Sequence, residues 1–500
     1  MTSTTTTTGQ GHEHLDRERW ISLVVLCAGF LMIILDQTIV NVALPSIQRD
    51  LHFSQSGLAW VINAYLIAFG GLLLLVGRLG DLIGRRRIFL SGLTLFTVAS
   101  LLCGVADSQA VLVGARFVQG IGGAMTSAVI LGMIVTMFPK PGDRAKAIGV
   151  YSFVASAGGA VGLLAGGVLT QSLGWHWIFF VNLPIGIVTA LLARRRLPAD
   201  QGIGLQHGAD VPGAALLVSA LMLAVYAIVE TSSYSWGSSH TIGFGALAVA
   251  LLAGFIVRQA RVANPLVPLR VFRSRTVTGA NLIQMLMVAG IFGMFFLGAL
   301  YLQQVLHYDP IQVGLAFLPV ALGIAVMSLG FSAKLIERVG ARATLIPGLV
   351  LIGVGLLLFR GASTHASYVH NLLPAMVPLG IGAGLAFPAL MTLAMSTATA
   401  EDSGLVSGLV NTTQQVGGAL GLAVLATLSS SHTSSLRSAG DSTASALTGG
   451  YHLAFGIGAV LVGVGIVLAG LVLKSESATS AETVDAETEL EQELAFQQAA

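Results

Sequence analysis

Along these 500 residues, apolar runs of about twenty residues return fourteen times, at 21–44, 57–77, 88–106, 111–137, 146–170, 177–193, 211–230, 241–259, 277–300, 311–333, 343–360, 369–392, 404–428 and 451–473. A helix rises 1.5 Å per residue, so about 20 apolar residues cross a hydrocarbon layer of about 30 Å. Ala, Leu, Val and Gly fill the runs without the alternation of a membrane strand, which predicts helices rather than a barrel. Charged residues make up 10% of the chain and hydrophobic ones 54%, whereas a soluble domain carries about 25% charge. Lipid has to cover most of such a surface, and the expected fold is an all-α polytopic membrane protein.

The basic residues orient it. With the N-terminus in the cytoplasm, only Arg49, Arg360 and Arg437 fall outside and Arg116 falls within a span; the rest of the 25 Lys and Arg lie on the cytoplasmic side. Arg85 to Arg87 and Arg194 to Arg196 are the densest groups. This is the bias of the positive-inside rule, and an even number of spans returns the C-terminus to the cytoplasm. The threonine-rich stretch Met1 to Gln10 lacks the basic leader and cleavage site of a signal peptide, so the first run is expected to stay as an anchor. The Ser, Thr, Ala and Gly of Ser429 to Gly450 read as an outer loop, and the acidic residues after Ser475 as a disordered tail.

Other totals exclude function classes. A net charge of +2 is no nucleic-acid footprint. Cys27 and Cys103, the two cysteines, both stand in apolar runs and suggest neither a disulfide scaffold nor a metal cluster. There is no phosphate loop ending in Gly-Lys-Ser or Gly-Lys-Thr, no repeated filter sequence of a channel, and no clustered nucleophile and base of an enzyme. No cofactor or metal is expected.

After the second run the chain reads Gly77-Arg78-Leu79-Gly80-Asp81-Leu82-Ile83-Gly84-Arg85-Arg86-Arg87, and Gly330, Lys334, Glu337-Arg338, Gly340 and Arg342 echo it after the tenth. Setting the seventh and eighth runs aside makes six, two inserted and six, and internal halves are common among secondary transporters. The loop, with Leu35 to Pro45, with Leu112, Arg116, Gln119, Gly120 and Gly122, and with Trp175 to Gly186, resembles the major facilitator superfamily. Within it the match is to the fourteen-helix branch of drug:proton antiporters, from about Trp20 to Leu473.

The resemblance implies two six-helix halves plus two inserted helices. The divisions are 1–20 (cytoplasmic tail), 21–196 (first half), 197–260 (inserted pair), 261–473 (second half) and 474–500 (acidic tail). It implies a multi-pass protein of the cytoplasmic (inner) membrane, functional as a monomer, that exchanges protons for a small amphipathic substrate; drugs or antibiotics, above all lipophilic cations, are favoured. The alternative is export of one endogenous metabolite, antibiotic or lipid-like product. At this loop Gly77, Asp81, Gly84, Arg85 and Arg86 are expected to form a conformational latch, with Asp81 capping a helix end or pairing with a base across the halves; topology signalling by the arginines is the competing reading. Gly158, Gly162 and Gly166, four residues apart on one helix face, permit close helix approach. Leu163 stands where the family's antiporter motif has proline, so the glycine face remains without its kink.

Ionisable groups inside a span are expensive and therefore functional candidates. Asp36 stands nine residues before Pro45 and Arg116 five residues into the fourth run, which by helical rise places them roughly 13 Å and 8 Å below the outer end. If the first and fourth helices are neighbours the two can meet. Asp36 would then alternate between protonation and attraction to a cationic substrate, with Arg116 holding its charge; a permanent structural ion pair is the competing reading. Asn41, Gln119, Asn281, Gln284, Asn411 and Gln415 are possible cavity-lining residues. Phe30, Tyr65, Phe292, Phe295 and Phe296 could stack on a flat cation.

Overall fold

The computed structural model describes residues 7–473 except 201, 205, 207 and 397–402; within the helices the side chains of 7–17, 141, 145, 155, 156, 403 and 404 are also left undescribed. The acidic tail therefore lies outside the described residues. The first six spans are Thr7–Asp50, Trp60–Ile83, Arg85–Gly104, Gln109–Met137, Pro141–Ser172 and Asn182–Arg196, the sixth preceded by the single turn Trp177–Phe180. The seventh and eighth are Val211–Val229 and Ser239–Arg261. The last six are Arg275–Gln304, Pro310–Val339, Ala341–Arg360, Leu373–Met395, Ser403–Ser438 and Thr443–Val472. Among the described residues thirteen spans are long and apolar enough to cross a membrane by length and composition. The thirteenth in chain order, 36 residues long, carries the polar run Asn411-Thr412-Thr413-Gln414-Gln415 and completes the fourteen.

Ser429 to Gly450 is not a loop. The thirteenth span runs on to Ser438 and the fourteenth begins at Thr443. Hydroxyl side chains fit a helix here by bonding back one turn, Ser438 to the carbonyl of Ser434 and Thr448 to that of Ala444. Small residues also bring the two helices together, since a Cβ on Gly450 would lie 2.6 Å from the carbonyl oxygen of Ser429.

In lipid, helices gain little from burying apolar area against each other and associate through close packing. The first six spans pack as one bundle and the last six as another, with the fifth against the tenth, the second against the thirteenth and the first against the ninth across the interface. Gly158, Gly162 and Gly166 face the first span: a Cβ on Gly158 would stand 3.0 Å from Leu31 and Ile34, and one on Gly166 2.7 Å from the carbonyl of Ile39. The seventh span leans on both the second and the thirteenth, along the seam between the bundles, and the eighth packs on the seventh. Asp210 fastens this pair at the cytoplasmic end, accepting from the Gly213 backbone at 2.9 Å, Arg258 Nε at 2.6 Å and Gln259 Nε2 at 2.7 Å.

The two bundles repeat one turn. Gly84 (φ +104°) and Gly340 (φ +87°) each end a span in the left-handed region and start the next helix. That conformation strains any residue with a Cβ, which explains why the loop motif and its echo both place glycine there.

Candidate functional site

The first, third, fourth and sixth spans converge on Asp36. Its side chain has no exposed surface, and that of Arg116 has 1%. Arg116 Nη1 donates to Asp36 Oδ2 at 2.5 Å and to Gln119 Oε1 at 2.7 Å, while Nε donates to the carbonyl of Val61 at 2.9 Å. Gln119 Nε2 and Asn182 Nδ2 both donate to Asp36 Oδ1, at 2.7 and 3.0 Å, and both reach Ser100 Oγ, at 2.7 and 3.3 Å. The guanidinium lies over the ring of Tyr65, 4.4 Å from its centroid, with Phe179 at 5.8 Å. Flat aromatic faces favour a desolvated cation.

The local sequence accounts for this convergence. Gly120, one turn beyond Arg116, allows the fourth span to touch the second, since a Cβ there would stand 2.5 Å from the carbonyl of Tyr65. Gly122 does the same against the third span, with 2.5 Å to the backbone nitrogen of Phe96. Removing two charges from water costs several kcal/mol per ion, so such a pair persists only when its remaining hydrogen-bonding positions are filled. Asp36 meets that condition with three N–H donors.

Asp36 and Arg116 are thus in contact, as their helical depths predict. The cavity-lining candidates are distributed differently. Gln119 has no exposed surface and belongs to the ion-pair network rather than to a cavity wall. Asn281, Gln284 and Gln415 are also buried between helices; Asn281 bonds back to the carbonyl of Val277 and Gln284 reaches Gln414 at 3.5 Å. Asn41 is half-buried and Asn411 exposed. Asn411 lies in the first quarter of the thirteenth span and donates back one turn to the carbonyl of Ser407 at 3.0 Å. Of the aromatic candidates, Tyr65 and Phe296 are fully buried, Phe30 stacks on Tyr151 at 4.3 Å, and Phe292 and Phe295 are partly buried.

At the cytoplasmic loop Asp81 pairs with Arg85, four residues on and in the same bundle, at 2.9 Å. Arg85 continues to the carbonyl of Gly132 at 2.8 Å and to Thr136 at 3.0 Å on the fourth span. The helix-capping role falls to another acid: Asp200, in the segment after the sixth span, accepts from the backbone N–H groups of Arg85 at 2.6 Å and Arg86 at 3.1 Å. A carboxylate is favoured at such a helix start. The same segment bonds back through Ile203 to the carbonyl of Asp81, and Arg86 reaches the carbonyl of Arg194. A Cβ on Gly77 would meet nothing within 4 Å.

Sequence reasoning passed over Asp200, Ser100 and a group of outer glutamines as site residues, and took in Asn182 only as part of the Trp175 to Gly186 motif. Gln304 donates to Gln48 at 2.6 Å, Gln303 to the carbonyl of Val42 at 2.8 Å, Tyr451 to Gln304 at 3.0 Å and the backbone of Ile311 to Gln171 at 3.3 Å. These residues stand at the outer ends of the first, fifth, ninth, tenth and fourteenth spans. The available signal was amide side chains grouped at span ends, in Gln303-Gln304 and Gln48. Among the described residues no group of three or more His, Cys, Asp or Glu side chains could hold a metal ion.

With this geometry established, comparison with known proteins gives the following. Residues 26–422 match the model of the Major Facilitator Superfamily. The chain is 42% identical over 481 residues to the puromycin resistance protein pur8 of Streptomyces alboniger, covering 94% of each. It is 38% identical over 416 residues to the cephamycin export protein CmcT of Amycolatopsis lactamdurans, covering 83% of this chain and 85% of that one. The crystal structure of the POT family transporter PepTSo superposes with a TM-score of 0.65 at 15% identity, over 90% of this chain and 98% of that one, and supports the fold alone.

Proposed function

The chain belongs to the major facilitator superfamily, and on that premise we propose that it exports amphipathic antibiotics or related drugs across the cytoplasmic membrane in exchange for protons. It is a transporter and not an enzyme. The two bundles would rock about a substrate path between them, opening it alternately to the two sides. The observation that carries the reading is Asp36: among the described residues it is the one carboxylate placed away from the end of a span, and it is paired and sealed.

Full burial refines the role. Asp36 has no surface with which to touch a substrate in this state, so coupling runs through the helices it holds together. When the carboxylate is ionised, Arg116, Gln119 and Asn182 clamp the first span to the fourth and sixth. When it is neutral the clamp loosens, and a cationic substrate arriving in the path changes which state is favoured. Resistance and export in the names of the relatives support a drug or antibiotic as cargo; a dedicated exporter of one product is the alternative, supported by the single compound in each of those two names.

Reconstitution into sealed vesicles with imposed pH and voltage gradients tests both. Puromycin, as the probe, should release or take up protons in step with its own movement. Asp36→Asn should abolish proton-driven accumulation while leaving facilitated counterflow. Wild-type exchange by Asp36→Asn across a pH series would remove Asp36 from coupling, and a panel in which a single compound moves would favour the dedicated exporter.

A further inference from the structure

We propose that Asn182 is the positioning residue that lets Asp36 exist in both protonation states, its side-chain amide turning over when the carboxylate takes a proton. The inference rests on Asp36 being the coupling acid. An ionised carboxylate only accepts hydrogen bonds, whereas a protonated one must also donate. Around Asp36 the donors are plentiful and the free acceptors few. Gln119 Oε1 already accepts from Arg116 Nη1, and Cys103 Sγ points to it at 3.7 Å. Ser100 Oγ already accepts from Gln119 and Asn182. The Oδ1 atom of Asn182, on a residue 1% exposed, is buried without a partner.

A half-turn of that amide exchanges its two ends. Oδ1 then replaces Nδ2 beside Asp36 Oδ1, where the present separation is 3.0 Å, and accepts the new O–H. The proton adds to the carboxylate, whose charge goes from minus one to zero. Arg116 keeps its positive charge and its bonds to Val61 and Gln119, so the pocket gains one net positive charge. The amide then leaves its nitrogen unpartnered where its oxygen was before. Each state carries one unmet hydrogen bond, so turning the amide offsets the change in bonding, and the uncompensated charge left on Arg116 is what opposes protonation. The other titratable groups facing the carboxylate are Arg116 on the fourth span, Cys103 on the third and Tyr65 on the second; the arginines of the sixth span lie at its far, cytoplasmic end. Asn182 is the first residue of the sixth span, just after the separate turn Trp177–Phe180, so its movement acts where that span joins its neighbours.

The test is infrared difference spectroscopy of the reconstituted full-length protein between acid and alkaline pH, with puromycin-dependent proton flux on the same samples. Wild type should give a protonated-carboxyl band that Asp36→Asn removes. It should also give an amide band sensitive to nitrogen labelling of asparagine, lost in Asp36→Asn and in Asn182→Leu. In Asn182→Leu the carboxyl band should move to the position of an acid without an acceptor, and coupled flux should fall about tenfold, the scale of one unmet buried hydrogen bond. Asn182→Thr, whose hydroxyl both donates and accepts, should restore the bonded position. A carboxyl band unmoved by Asn182→Leu, or no label-sensitive amide band in wild type, overturns the role of Asn182 while leaving Asp36 in place. The second readout needs no Asn182 variant to fold. A carboxyl band that survives Asp36→Asn instead removes the reading on which the inference rests.

Discussion

Arg116 meets Asp36 at 2.5 Å while its Nε reaches the carbonyl of Val61 at 2.9 Å, so one guanidinium ties the fourth span to the first and the second. Replacing one partner leaves the other charged and sealed, which costs about 3–5 kcal/mol, whereas replacing both removes the orphan. Arg116→Gln should therefore lower the thermal unfolding temperature in detergent markedly, and Arg116→Gln with Asp36→Asn should recover most of the loss. Arg116→Lys should not rescue, because a single ammonium cannot reproduce the planar fork. Tryptophan fluorescence during heating measures all three, and a double variant as unstable as Arg116→Gln alone would contradict the pairing argument.

The fourteen spans and the meeting of Asp36 with Arg116 were legible in the sequence because length and depth follow from helical rise alone. Which face of each span looks where was not. A helix apolar nearly all round offers little amphipathic contrast to orient it, so Gln119 reads equally well as a cavity residue and as the network member it is. Asn182 lies 146 positions from Asp36 and Asp200 lies 115 from Arg85; both acquire a partner only once the sixth span is packed. The outer segment after Ser429 misled for a different reason, since hydroxyl residues suit turns in general but bond back along a helix here.

Asp81 and Arg85 are 43% and 33% exposed, and a pair so open to water is worth about 0–1 kcal/mol. Asp81→Asn should thus leave thermal stability nearly unchanged and act, as a latch would, on turnover. Substrate affinity in detergent should persist while vesicle flux drops. Lost binding with full maximum flux would argue against the latch. Asp200→Ala, which removes helix-capping bonds worth about 0.5–2 kcal/mol, should by contrast lower the unfolding temperature.

Acid should loosen the inserted pair through Asp210. Burial raises the pKa of this carboxyl, but hydrogen bonds from Arg258, Gln259 and the Gly213 backbone, with the Arg258 charge, outweigh it and hold the value below the ordinary 3.8. The unfolded state therefore binds the proton more readily. The stabilisation is complete above pH 3.8 and is lost as pH falls through the lower folded value. The protection of the seventh and eighth spans against hydrogen exchange in detergent, taken relative to the intrinsic rate at each pH from 6 downward, should fall in wild type in that acid range. Asp210→Asn should exchange faster already at pH 6 and lose the acid step; an unchanged step would assign it to another group.

At the outer ends Gln304 of the ninth span meets Gln48 of the first at 2.6 Å and is itself held by Tyr451 of the fourteenth at 3.0 Å, so the contact between the bundles here is made by amides and a phenol. None of these amides titrates, so on the coupling proposed above protons would act on this contact through the first span, which carries both Asp36 and Gln48. Two expectations separate gate from trigger. Cysteines replacing Gln48 and Gln304, joined by a short bifunctional thiol reagent, should stop exchange in vesicles, and reductive cleavage of a disulfide-based linker should restore it. A third cysteine replacing the exposed Asn411 should stay reachable from the cytoplasmic side while the outer link is in place, because only the outer half of the cycle is blocked. The native Cys27 and Cys103 are buried and should contribute little labelling. Gln304→Leu should instead weaken the contact and raise labelling from outside above that of the unaltered background at each pH. Continued exchange with the link intact, or an Asn411→Cys site sealed by it, would mean that the glutamines do not gate the outer side.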